Sequence, residues 1–213
     1  MKKFILPLVL LLAIGMLAAV ESDPSAVVGY VKYPCVAGNN MLALPMVDAY
    51  TTANELGDAI SATTVGYFDT ATQLWSTVDA FPWGGWSDDF ALSNGQALWI
   101  YVESDVDFYS LGALPAVQPT YELVIGNNVV MLPLDKGALN SANLVGDDMG
   151  ATTVGYFDGT TQLWSTVDAF PWGGWSDDFA TSIGAPLWIY TETEGTWPVA
   201  AAKVRQNIKT KSK

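Results

Sequence analysis

Residues 62–101 read ATTVGYFDTATQLWSTVDAFPWGGWSDDFALSNGQALWIY, and residues 151–190 read ATTVGYFDGTTQLWSTVDAFPWGGWSDDFATSIGAPLWIY. The copies differ only at Thr70/Gly159, Ala71/Thr160, Leu92/Thr181, Asn94/Ile183, Gln96/Ala185 and Ala97/Pro186. Near-identity over such a length obliges both copies to take the same fold. The match also extends outward. YPCVAGNN from Tyr33 aligns with YELVIGNN from Tyr121, and the following MLALP aligns with VVMLP. Each unit then spans about 85–90 residues, too long for a solenoid repeat and suited to a small domain.

Within a unit the local signals are those of short strands. Residues 27–33 are rich in Val and Tyr, and Gly38-Asn39-Asn40 supplies turn residues before a buried strand over 41–44 that Pro45 stops. Strands are predicted over 65–69 and 73–79, joined by a polar loop. In the second copy that loop contains Asp158-Gly159, a preferred two-residue hairpin pair; Asp69-Thr70 predicts a looser loop of equal length. Along 98–103, Leu98, Ile100 and Val102 share one face while Trp99 and Tyr101 share the other, which predicts a strand covered on both sides. Thr52-Ala-Asn-Glu55 has capping-box form, with Leu56 and Ile60 on one helical face. In the second unit Ser141 or Asn140 is the candidate cap, and Leu144 replaces the Glu. Gly57 and Gly146 are expected to keep both helices brief. The expectation is therefore a mainly β chain: two tandem, homologous, small β-sandwich or barrel-like modules, each with one short helical insert, related by a pseudo-two-fold.

The ends and the composition suggest an address. Lys2 and Lys3, an apolar run over 4–17 and the small pair Ala18-Ala19 have the form of a secretory signal, assigned to residues 1–19. Module 1 is then expected over 24–111, a proline-containing linker over 112–119, module 2 over 120–198 and a basic tail over 199–213. No second apolar run in the sequence has the length of a membrane span. The formal net charge is −13, and between Glu21 and Glu194 the only bases are Lys32 and Lys136. Such a field disfavours nucleic acid and favours cations or basic partners. Cys35 is the single cysteine, so no disulfide can form within the chain; its alignment with Leu123 predicts a small buried apolar residue. The sequence contains no histidine, which removes Ser-His-Asp and Cys-His sites.

AGNNMLALP and IGNNVVMLP, VGYFDTATQLW and VGYFDGTTQLW, and LSNGQALWIYV and SIGAPLWIYT together resemble a pattern of exported bacterial modules. Those run GWNLVSLP, then a short helical segment, then VYxWDxxxxxW, then PGxGYWVYV. The chain departs from the pattern at Asn39 and Asn127, where Trp is common, and at Ala97 and Pro186, where Gly is common. The resemblance implies an extracellular β-rich module, often tandem or appended to larger surface proteins, with no established chemistry.

The segment FPWGGWSDDF, at residues 81–90 and 170–179, is the candidate site. Trp83, Trp86, Trp172 and Trp175 on glycine-rich loops can form apolar platforms for sugar rings, with Asp88, Asp89, Asp177 and Asp178 accepting hydroxyl hydrogen bonds. The opposing reading is that the indoles fold back over the sheet and the glycines only shape the turn. The acidic pairs also raise calcium as a ligand, although adjacent Asp side chains on a strand point apart and EF-hand spacing is absent. With no nucleophile or cofactor fingerprint, the sequence favours a non-catalytic structural or interaction module, exported to the extracellular space, cell surface or periplasm. Its expected partner is a surface protein, or a glycan in the carbohydrate-binding alternative.

Overall fold

A computed structural model describes residues 28–47 and 50–198; the signal-like segment and the basic tail lie outside the described residues. The first unit runs β1 (Val28–Cys35), β2 (Gly38–Ala43), α1 (Ala53–Ile60), β3 (Ala62–Asp69), β4 (Leu74–Asp79), β5 (Ala97–Val102) and β6 (Val106–Ala113). The second runs β7 (Tyr121–Leu123), β8 (Gly126–Met131), α2 (Ala142–Met149), β9 (Ala151–Asp158), β10 (Leu163–Asp168), β11 (Pro186–Thr191) and β12 (Gly195–Trp197). The chain is mainly β, with one short helix per unit, as its sequence implies. Strand β6 extends to Ala113, into the stretch expected to be linker.

Each unit holds a four-stranded antiparallel sheet, in order β2-β5-β3-β4 and β8-β11-β9-β10, together with a two-stranded ribbon, β1-β6 or β7-β12. Ribbon and sheet are two parts of one bent strand pair. The register reaches Cys35↔Val106 in the ribbon and resumes at Gly38↔Val102 in the sheet. A buried asparagine holds the bend. Asn40 Oδ1 accepts from the Val36 amide at 2.9 Å, and its Nδ2 donates to the Val36 carbonyl at 2.7 Å and the Gly38 carbonyl at 3.0 Å. Asn128 repeats this with Val124 and Gly126. A carboxamide offers an acceptor and two donors at once, which matches the one amide and two carbonyls that the break in the ladder orphans.

The ribbon and helix close over the inner face of the sheet. Leu42, Leu56, Val65, Leu98, Ile100, Val102 and Phe108 form the first core; Val130, Leu132, Val145, Val154, Leu187, Ile189 and Trp197 form the second. Each such side chain, fully buried, contributes about 1.5–3 kcal/mol. Cys35 sits in the first core, and burial pushes its thiol up to about 11, so it acts as a small apolar residue. Leu98, Ile100 and Val102 face this core while Trp99 lies on the opposite face, as the alternation implies.

One local expectation changes. The hairpin loops are not two-residue Asp-Gly turns. Both copies close with Gln73 or Gln162 donating its amide to the carbonyl of Asp69 or Asp158 at 2.8 Å, and the left-handed residue is the glutamine, at φ 59° and 58°. In the helix caps, Thr52 and Ser141 accept from the third residue on, and the Glu55 carboxylate, which reaches back to the cap as the capping box implies, also accepts from Thr51 (amide 2.8 Å, hydroxyl 2.9 Å). Those bonds hold the Glu55 carboxyl below its ordinary value.

Candidate functional site

The repeated loop leaves β4 and β10 and returns over the helix. Phe81 donates its amide to the Gly85 carbonyl at 2.8 Å, and Gly84 donates to the Phe81 carbonyl at 2.9 Å. Gly84 and Gly85 both have positive φ, 96° and 85°, so this tip requires residues without Cβ strain. The tip pushes Trp83 outward: it is 81% exposed, and Trp172 is likewise 81% exposed. Each lies flat on a phenylalanine, Trp83 on Phe81 at 5.1 Å and 7° and Trp172 on Phe170 at 5.1 Å and 8°. One indole face is thus braced and the other is presented to solvent.

Trp86 and Trp175 part company with that platform. Trp86 Nε1 donates to Asp58 at 2.9 Å and Trp175 Nε1 to Asp147 at 3.0 Å. Their rings lie on Gly57 and Gly146, where a Cβ would collide with the indole. They are helix covers, and only Trp83 and Trp172 are displayed.

The carboxylates also serve the frame. Asp88 Oδ1 accepts from the Asp89 amide at 2.8 Å, and Asp89 Oδ1 accepts from the amides of Asn54 at 3.1 Å and Phe90 at 2.9 Å. Asp177 and Asp178 repeat the pattern with Asn143 and Phe179. Asp89 and Asp178 therefore anchor the first turns of α1 and α2, where a negative charge is favoured. Among the described residues no group of three or more Cys, Asp or Glu is arranged to hold a metal ion. Nor does any helix among them have the length and apolarity to cross a membrane.

The two units meet through aromatic sheet faces, an arrangement that local sequence signals do not specify. The sheet faces opposite the helices carry Phe68, Trp75 and Trp99 in one unit and Phe157, Trp164 and Trp188 in the other. Trp99 packs on Phe157 at 4.7 Å and on Trp164 at 6.2 Å. Two glutamines then lock the sheet edges reciprocally. Gln162 accepts from the Asn39 amide at 2.8 Å and donates to the Asn39 carbonyl at 2.9 Å; Gln73 does the same to Asn127 at 2.7 and 2.9 Å. Each carboxamide stands in for a neighbouring strand. Tyr33 and Tyr121 add matching bonds to the carbonyls of Gly184 (2.6 Å) and Gly95 (2.8 Å). The signal for all of this was the retention of Gln before Leu-Trp, and of Tyr before each Asn-Asn turn, in both copies. No family model, curated protein or solved structure matches this chain.

Proposed function

We propose that this protein is an exported, non-catalytic interaction module that meets its partner outside the cell through two equivalent tryptophan tips. The observation that carries the reading is the pair Trp83 and Trp172, each 81% exposed and braced on a phenylalanine. An indole left this open forgoes about 4 kcal/mol of burial. The loop geometry spends two left-handed glycines to keep it so, and does it twice. The resemblance to exported tandem modules and the secretory form of residues 1–19 support the location. The absence of histidine from the sequence supports a non-catalytic role.

A second reading, carbohydrate binding, draws on the flat stacking itself. A ring parallel to its phenylalanine within 7–8° presents one open face, which suits the C–H face of a sugar. Two such faces on one body give avidity for a repeating polymer.

The test is co-sedimentation of the purified protein with cell envelopes and with insoluble polysaccharides, comparing wild type, Trp83→Ala, Trp172→Ala and the double variant. One tip lost should weaken retention about tenfold and both about a hundredfold. Competition by soluble oligosaccharide identifies a glycan; retention that such competitors leave intact identifies a protein surface. Equal retention of wild type and double variant would overturn both readings.

A further inference from the structure

The aromatic layer between the units is built from the same residues twice, yet it closes on one side only. On the closed side Trp99 packs on Phe157 and Trp164, and its Nε1 donates to Asn39 Oδ1 at 3.1 Å. The counterparts of this group are Trp188, Phe68, Trp75 and Asn127. Trp188 makes neither ring contact: its one aromatic neighbour among the described residues is Trp164, at 6.1 Å. The Trp188 indole N–H and the Asn127 carboxamide have no hydrogen bond to each other or to any other described residue. Between them opens a cleft of about 340 Å³ lined by Phe68, Trp75, Asn127, Trp164, Thr166 and Trp188. That volume lies in the range of small-ligand sites.

We propose that this cleft binds an organic cation of the quaternary or methylated ammonium class. Three features select that chemistry. The walls are inclined to one another, Phe68 against Trp75 by 72° and Trp164 against Trp188 by 57°. Inclined rings enclose a compact group, whereas a flat sugar needs a flat face. Ring faces attract a cation through their quadrupole, tryptophan best of all. The lining holds no base, and the whole chain carries a net charge of −13, so the field concentrates cations and repels anions. The unpaired carboxamide of Asn127 and the hydroxyl of Thr166 are placed to receive a polar substituent on the cation. This site is separate from the loop tips, and neither proposal depends on the other.

Choline is the probe, titrated at fixed ionic strength while tryptophan fluorescence is followed. Its uncharged carbon isostere, with tert-butyl in place of trimethylammonium, and a neutral oligosaccharide are run in parallel. Choline should bind saturably, and the isostere about tenfold more weakly. Trp188→Ala should weaken choline about tenfold. Thr166 is exposed on strand β10, so Thr166→Arg can be made without disturbing the core. It should weaken choline at least tenfold more than it weakens the isostere, and Thr166→Gln should retain choline within about threefold. Near-UV circular dichroism checks that each variant is folded. Equal binding of choline and its isostere, a response to the oligosaccharide alone, or choline binding indifferent to Thr166→Arg would each overturn the proposal.

Discussion

Single residues in this protein are explained by what lies across from them. Gly57 sits inside α1, where the usual rule makes alanine better by about 1 kcal/mol. The Trp86 ring occupies the space that a Cβ at this position needs, and Trp175 does the same over Gly146. The sign of the substitution should therefore reverse: Gly57→Ala should lower stability by about 1–3 kcal/mol in urea unfolding. In a Trp86→Ala background the same change should become neutral or stabilising, because the collision is gone. A stabilising Gly57→Ala in the wild-type background would show that the indole does not rest there. The sequence alone read both glycines as helix shorteners. Local propensity carried no trace of a tryptophan arriving from a distant loop.

Among the elements, the bent strand pair depends on one asparagine per unit. Asn40 is 4% exposed and Asn128 1%, and each satisfies both the amide and the carbonyl of the residue four positions before it. Asn128→Ala should cost about 2–6 kcal/mol, since it strands two part-buried backbone groups at a cost of about 1–3 kcal/mol each. Hydrogen exchange at the Val124 amide should accelerate along with the loss of stability. A loss under about 0.5 kcal/mol would mean that water replaces the carboxamide freely. The strands themselves were largely legible, because Val-rich runs, alternation along 98–102 and the stop at Pro45 act locally. The hairpin loops were misread for the converse reason. Asp158-Gly159 is a good local turn signal, but the loop is shaped around Gln162, whose side chain is engaged by the other unit. A left-handed non-glycine residue costs about 1–2 kcal/mol, and the bonds to Asn39 offset it.

At the scale of the whole molecule, the two units meet through equivalent surfaces, so each holds both halves of the contact. Gln162 and Asn127, like Tyr121 and Gly184, belong to the second unit. Its fragment of residues 120–198 should therefore dimerise on its own, in an isologous arrangement. Light scattering should report twice the fragment mass at micromolar concentration, and Gln162→Ala should shift the fragment towards monomer. A wild-type fragment that stays monomeric under these conditions would show that the linker, and not the interface, holds the units together. In the intact chain Met131 packs into the first core although it belongs to the second unit, and Tyr121 touches both. The two cores are thereby coupled.

By itself the sequence determined the β-rich character, the repetition, the helix caps, the buried cysteine and the acidic charge. These follow from composition, alternation and short-range spacing, which any copy of the segment carries with it. Which tryptophans are displayed was decided only by tertiary structure. FPWGGW presents two indoles of equal promise, and nothing local separates Trp83, held outward by a two-glycine tip, from Trp86, drawn down onto Gly57 and Asp58. The tertiary structure alone also produced the cleft. Identical residues pack tightly around Trp99 and leave a space beside Trp188, a difference that exists only once two equal faces have been pressed together.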